Sequence, residues 1–222
     1  MNDLAYKLLV FDWDGTLMDS EARIVSCLAM SLKDMSRAVP PREALLNVIG
    51  LGLPEAAQAL LPRGDVEGVR QFVDRYRYHF LSDHYEPSSL FPGALDTLLD
   101  LDAQGYLLAV ATGKGRRGLD EALDRTGCRG VFAVTRCADE TASKPHPRML
   151  LEVMDVAGVD PADTLMIGDT IFDMQLARNA GTRALAVSYG VQASERLLAE
   201  GAIDCIDEID AILPWLRQGT AR

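Results

Sequence analysis

The chain is poor in the residues that build thiolate or imidazole metal scaffolds: it has four cysteines and three histidines in 222 residues. Cys27, Cys128, Cys137 and Cys205 are scattered without C-x-x-C spacing, so neither a zinc ribbon nor a disulfide framework is indicated, and buried thiols are the reading. Positive charge is also short. The 22 Lys and Arg face 33 Asp and Glu, for a formal net charge of −11. Nucleic acid and anionic membrane both call for a basic surface, so neither is an expected partner. A small phosphate ester stays open, because a metal ion and a few placed cations can bind one locally. No apolar run approaches the ~20 residues needed to span a bilayer. The N-terminus leads directly into a strand without the basic-then-apolar design of a signal peptide, and a soluble cytoplasmic protein is expected.

What the chain does have is apolar substance. At 48% hydrophobic residues it can bury a sizeable core. Leu8 to Phe11 read as a short buried strand that ends in a turn holding Asp12, Trp13, Asp14 and Gly15. Helical periodicity then takes over. Glu21 to Arg37 carries Ile24, Val25, Leu28, Leu32 and Met35 on one stripe and stops before Pro40-Pro41; helices at Arg42 to Ile49, Pro54 to Leu61 and Asp65 to His84 follow. From Leu90 onward the pattern alternates. Short apolar runs at Tyr106 to Ala111, Val131 to Val134, Thr164 to Ile167, Arg183 to Val187 and Ala202 to Ile206 are separated by helices at 116–126, 147–157, 171–180 and 194–200, with others at 94–104 and 208–217. Alternation of this kind predicts βαβ units and a parallel sheet, to which the first strand also belongs. The expected fold class is α/β: a Rossmann-like three-layer core formed by residues 1–17 and 88–222, with a small α-helical cap, residues 18–87, inserted after the first strand.

In a parallel sheet the residues just past each strand collect along one edge, where ligands bind. Reading those positions gives Asp12 and Asp14 after the first strand, Thr112-Gly113-Lys114 after the second, Lys144-Pro145 in the segment beyond the third, and Gly168-Asp169-Thr170 after the fourth, with Asp173 further on. Four acids on one rim repel one another unless a divalent cation holds them ionised together. Hard oxygen donors without His or Cys favour Mg2+.

These stretches, Asp12-Trp13-Asp14-Gly15-Thr16-Leu17, Ala111-Thr112-Gly113, Lys144-Pro145 and Gly168-Asp169-Thr170 with Asp173, resemble in order the four motifs of the haloacid dehalogenase superfamily. Lys144-Pro145-His146-Pro147 is similar to its phosphoglycolate-phosphatase-like branch, and the helical insertion resembles its mobile cap. The resemblance implies a Mg2+-dependent phosphatase that hydrolyses a small phosphate monoester, phosphoglycolate-like or a sugar phosphate, through an aspartyl-phosphate. In that scheme Asp12 is the nucleophile and Asp14 the proton donor and acceptor. Asp12, Asp169 and the Asp14 backbone carbonyl bind the metal, and Thr112, the Gly113 amide and Lys144 hold the phosphoryl oxygens. Asp173 supports a metal water or Lys144.

Each residue taken alone has a plainer use. Asp12 and Asp14 could cap a turn, Asp169 could cap the helix at 171, Lys144 could be a solvated lysine, and Asp173 could be an ordinary first-turn acid. Lys114 and Arg116, at a helix start, read as solvated cations. His146 reads as structural, and His79 and His84 as surface or hinge residues. The loop Gly50-Leu51-Gly52 either connects two helices or reaches over the site. Within the enzyme class a sugar phosphomutase and a pyrophosphatase share the motifs. A dehalogenase is disfavoured by Asp14, which carbon–halogen cleavage does not need. Outside the class, a phospho-accepting signalling module also combines acids, a Thr and a Lys, but it needs only about 120 residues and no cap.

Overall fold

The computed structural model describes residues 5–81 and 88–219. In chain order its elements are β1 (Leu8–Phe11), β2 (Met18–Asp19), α1 (Glu21–Asp34), α2 (Arg42–Leu46), α3 (Leu53–Leu60), α4 (Val66–Leu81), β3 (Ser89–Leu90), α5 (Ala94–Ala103), β4 (Leu107–Thr112) and α6 (Arg116–Thr126). There follow β5 (Val134–Cys137), α7 (Arg148–Ala157), β6 (Thr164–Gly168), α8 (Ile171–Ala180), β7 (Arg183–Val187), α9 (Ser194–Ala199), β8 (Asp204–Ile206) and α10 (Ile212–Gly219).

The sheet is organised around β1, whose four residues are all fully buried. Six parallel strands run in the order β5-β4-β1-β6-β7-β8, with Leu8 opposite both Leu107 and Thr164 and Phe11 opposite Val110 and Ile167. Alternate residues serve opposite layers. Leu8 and Val10 join Ala109, Ala111 and Met166 under α7, α8 and α9, whereas Leu9 and Phe11 join Leu108, Val110, Leu165 and Ile167 against α5, α6 and α10. Helices on both faces explain why these strands are almost continuously apolar. Because β1 is central and the chain builds outward from it on either side, its C-terminal end lies where the strand order reverses, the crevice in which α/β sheets bind ligands.

Helices α1 to α4 form the predicted insert after β1, with an apolar core of its own built on Ile24, Leu28, Leu32, Val48 and Phe72. A two-stranded antiparallel ribbon that the sequence did not announce, Met18 opposite Leu90 and Asp19 opposite Ser89, ties the outgoing chain to the returning one. At two residues a strand, it is too short to show alternation. Helix α1 ends earlier than predicted, at Asp34, because Ser36 turns into the left-handed region at φ 53°. The third core strand is displaced from 131–134 to Val134–Cys137. Val131 and Phe132 instead pack on the core as a turn, and the edge strand keeps the polar Thr135 and Arg136, which breaks the apolar signal. The last helix begins at Ile212 after a 3₁₀ turn. The predicted extension of the fourth helix to His84 lies outside the described residues. His79, expected at the surface, is buried, with Nε2 2.9 Å from Asp34 Oδ2, because α4 packs along α1. None of the described helices is long and apolar enough to cross a membrane.

The insert is seated on the core. Gly52 N donates to Ser143 Oγ at 2.7 Å, and Arg196 Nη1 donates to Asn47 Oδ1 at 2.6 Å. Gly113 is where the two meet most tightly: a Cβ there would stand 2.5 Å from Leu51 O and 2.6 Å from Gly50 O. A methyl cannot be accommodated at that distance from backbone atoms. Gly113→Ala is therefore expected to lift the 50–52 loop and speed amide hydrogen exchange there by about tenfold or more, the equivalent of ~1.4 kcal/mol of lost docking, while the sheet keeps its protection. Unchanged exchange at 50–52 would show that the contact is slack.

Candidate active site

Asp12 extends β1 by one ladder bond, its N–H donating to Ile167 O at 2.9 Å, and the residue is 1% exposed. Asp12 Oδ1 accepts from Trp13 N at 2.6 Å and lies 3.0 Å from Lys144 Nζ. Its other oxygen, Oδ2, has no such partner among the described residues. Lys144 is fully buried and reaches on to Asp173 Oδ1 at 2.5 Å. Asp173 is also a helix cap: its Oδ2 accepts from Thr170 N at 3.0 Å and Thr170 Oγ1 at 2.7 Å, forming the capping box that starts α8. The plain reading of Asp173 and the functional one are thus both true, since one oxygen closes the helix and the other holds the lysine.

Asp169 is held from two sides, Oδ1 accepting from Thr16 Oγ1 at 2.7 Å and Oδ2 from Val191 N at 2.9 Å. Gly15 makes that approach possible, since at φ 87° it presents no side chain where a Cβ would meet Asp169 Oδ2 at 2.2 Å. Asp12, Asp169 and Asp173 each offer a carboxylate oxygen within 4.8 Å of the others, all buried. Burial pushes the Asp12 carboxyl up to about 7, Lys144 pulling it back and Asp173 pushing it further. Burial, then Asp12 and Asp173, drives Asp169 well above the usual carboxylate range. For Lys144, burial opposes the charge, but Asp12 and Asp173 outweigh it and hold the ammonium above its ordinary value. One lysine cannot neutralise three carboxylates, and like charges about 4 Å apart cost roughly 4 kcal/mol per pair at an effective dielectric near 20. The donor set is all hard oxygen, the chemistry that suits a hard divalent cation such as Mg2+.

Asp14 points away from that cluster. Both its oxygens accept from Lys114 Nζ, at 2.9 and 2.8 Å, and Oδ1 also accepts from Ser20 Oγ at 2.7 Å. Lys114, expected to be a solvated cation, is instead 10% exposed at its side chain and part of the site. Arg116 does face outward, donating to Glu140 and Thr135. Thr112 is buried at the end of β4, its Oγ1 accepting from Lys114 N at 3.1 Å, and Gly113 follows it under the insert's loop. His146 is structural as expected, its Nδ1 accepting from Arg148 N at 3.2 Å where α7 begins. The loop Gly50-Leu51-Gly52 joins two helices and also roofs the site. Its Gly50 and Leu51, with Asp12, Asp14 and Thr112, line a cavity of about 480 Å³ between insert and sheet edge.

Besides Lys114, the residues missed from sequence are Ser20, Tyr189 and Val191, while Thr16 stood in the first motif without an assigned partner. Tyr189 Oη donates to Thr16 O at 2.9 Å and so ties the loop after β7 to the first turn. Applying the strand-end rule to β7 as well would have pointed to Tyr189-Gly190-Val191.

Buried acids and a paired lysine at the end of the central strand, roofed by a helical insert, suit chemistry on an anionic substrate. Residues 9–187 match the model of the haloacid dehalogenase-like hydrolases, and the chain belongs to that family. It is 37% identical over 198 residues to the probable phosphatase IndB of Dickeya dadantii, covering 86% of this chain and 85% of that one. It is 31% identical over 219 residues to the phosphoglycolate phosphatase of Pseudomonas putida, covering 94% and 79%. Among solved structures, a putative haloacid dehalogenase-like hydrolase from Bacteroides fragilis superposes with a TM-score of 0.86 at 26% identity, over 93% of this chain and 99% of that one. The protein is an enzyme of this family, similar to its phosphoglycolate phosphatases.

Raised carboxylate pKa values mean that the folded protein binds more protons than the unfolded chain between about pH 4 and pH 7, so these groups weaken the fold as pH rises through that range. A bound divalent ion reverses this. Addition of Mg2+ at 100 times its dissociation constant should raise stability by about 2.7 kcal/mol. At one fixed Mg2+ concentration the thermal shift should be larger at pH 8 than at pH 5, where the raised Asp12 carboxyl holds a proton. A Tm insensitive to Mg2+ at both pH values would contradict the metal assignment.

Proposed function

We propose that this enzyme is a magnesium-dependent phosphatase that hydrolyses a small phosphate monoester through an aspartyl-phosphate on Asp12. The observation that carries the reading is the environment of Asp12: the residue lines the cavity, one oxygen is held by Trp13 N and faces Lys144, and Oδ2 has no such partner among the described residues. A carboxylate so oriented is a nucleophile in position.

Oδ2 of Asp12 would attack phosphorus as the bond to the leaving oxygen breaks. Lys144, Thr112 and the Gly113 amide would hold the phosphoryl oxygens, with Asp173 positioning Lys144. Asp12, Asp169 and the Asp14 carbonyl would hold Mg2+, which when bound neutralises phosphoryl charge that would otherwise repel the nucleophile. Asp14 would give a proton to the leaving oxygen, then take one from the water that attacks phosphorus, releasing phosphate and restoring Asp12. Lys114 bears on that cycle. Its ammonium occupies both Asp14 oxygens, so Asp14 would reach a leaving oxygen only once the anionic substrate has drawn Lys114 away. Residues 18–87 would serve as the cap that excludes water during the covalent step.

With Mg2+ and a generic aryl phosphate, Asp12→Asn is expected to fall to background, and Asp14→Asn to lose about 10²–10⁴-fold in kcat. Both should keep the wild-type circular dichroism spectrum. A chelator should silence the wild type. Full activity of Asp12→Asn, or turnover that persists in chelator, would overturn the mechanism.

A further inference from the structure

Lys114 has an anchored stem and an ammonium with two neighbours of different kinds. Its backbone N donates to Thr112 Oγ1 at 3.1 Å, and its methylenes lie along the first turn of α6, where a Cβ at Gly118 would meet Cγ and Cε at 3.4 Å. The ammonium bonds both Asp14 oxygens and stands 4.5 Å from the centroid of Phe80, a residue of the insert. The Asp14 side chain is 13% exposed, and Ser20 Oγ takes a further site on Oδ1. Asp14 therefore has both oxygens tied for as long as Lys114 bridges them.

An anion is what draws an ammonium from a carboxylate, and the surroundings place that anion toward the insert. The floor of the site already has a cation of its own, Lys144, at 3.0 Å from Asp12 Oδ1. The Phe80 ring attracts positive charge to its face, so an ammonium freed from Asp14 stays beside the substrate's alcohol instead of following the phosphoryl group to the floor. A second cation stands over the same ring. Arg23 lies 4.6 Å from the centroid, its Nη2 donating to Phe80 O and its Nε buried without a partner among the described residues. An anion arriving at Phe80 thus meets two cations. Of the acids on the lining, Asp139 accepts from Arg116 N at 2.9 Å and Glu55 lies beside Gly52. The reach is short, because Lys114 and the leaving oxygen both contact Asp14, and the second anion stands only a few bonds from the ester oxygen.

We infer that Lys114 interlocks substrate choice with proton transfer: its ammonium occupies Asp14 until a second anionic group on the substrate's alcohol, a carboxylate or a phosphate, accepts it, and Asp14 then turns to the leaving oxygen. Lys114 is on this account a positioning residue that sets specificity in the chemical step, and esters of neutral alcohols bind but are cleaved slowly. The inference rests on the phosphatase reading above and adds to it the condition under which Asp14 acts.

The test uses the full chain with Mg2+ and single-turnover rates at saturating enzyme, which isolate ester cleavage from binding and from release. Phosphoglycolate and 1,2-ethanediol bisphosphate carry the second anion, whereas the carboxamide of phosphoglycolate keeps the shape of the first without its charge. At least one of the two anionic esters should be cleaved about tenfold or more faster than the carboxamide, within the 10²–10⁴-fold that general acid–base catalysis supplies, and the faster of them identifies the anion. Supplying the anion as a separate molecule distinguishes the interlock from a simple binding contact. Saturating formate should speed cleavage of bound methyl phosphate by about threefold or more, since only a group that acts in the transition state raises this rate. Lys114→Met, with a wild-type circular dichroism spectrum, should lose the formate effect and bring phosphoglycolate and its carboxamide within about threefold of each other; if that variant does not fold, the formate effect on the wild type decides alone. Equal wild-type rates for the anionic esters and the carboxamide, no response to formate, or a preference that survives in folded Lys114→Met each overturn the interlock and leave the phosphatase reading intact. Absence of cleavage with every ester, including a generic aryl phosphate, overturns both.

Discussion

The structure depends on holding the Asp12 carboxyl buried at the end of the central strand with its charge only partly compensated. Burial alone would protonate that group or unfold its surroundings. Lys144 pulls the carboxyl back without overcoming burial, which still holds it at about 7, and Asp173 holds the other side of the buried Lys144. Asp173 in turn is positioned by its capping box with Thr170, so the first turn of α8 sets the geometry of a charge at the end of β1. The chain places the three residues of this relay on three segments far apart in sequence, and the parallel sheet brings them to one edge. Removing one charge from such a buried pair generally costs more than the pair contributes, because the partner is left uncompensated.

That arrangement leaves an excess of negative charge at the floor of the site and explains the division of labour around it. Asp169, cradled by Thr16 and Val191 N, faces the metal-competent cluster, while Asp14 turns toward Lys114 and the insert. Asp12 and Asp14, two positions apart, thus occupy different electrostatic settings, one buried with Lys144 and the other partly open beside Lys114, a split that suits the proposed nucleophile and proton-transfer roles. The insert supplies what the sheet edge lacks, an apolar wall. Its loop packs carbonyls against Gly113 and its helix α4 lays Phe80 over Lys114, so closure of the site and the setting of Asp14 are physically linked.

Much of this was legible in the sequence because strong local signals coincide with global topology. The run from Leu8 to Phe11 is buried on both faces and reads as a strand whatever its neighbours are, and the strand-end rule then nominates Asp12, Thr112 and Asp169. The structure brings Lys144 to Asp12 although nothing local distinguishes it from a surface lysine; only its order among the other motifs singled it out. Other features were invisible for stated reasons. Lys114 was read as solvated because a cation at a helix start normally is, and its burial comes from Asp14 and Phe80, which approach from distant parts of the chain. His79 was misjudged for the same cause, its partner Asp34 standing on another helix. The edge strand at Val134 was misplaced because an edge tolerates Thr135 and Arg136, and the ribbon at Met18 and Leu90 is too short to carry a period.

The covalent role of Asp12 can be examined directly by quenching the enzyme during turnover of a phosphate ester and reducing with borohydride. Reduction converts an acyl phosphate on an aspartate to homoserine, which peptide mass spectrometry locates. Homoserine at position 12, formed only with both substrate and Mg2+ present, is the expected result. Steady turnover with Asp12 recovered unmodified, or with the modification at Asp14 or Asp169, would contradict the assignment of the nucleophile.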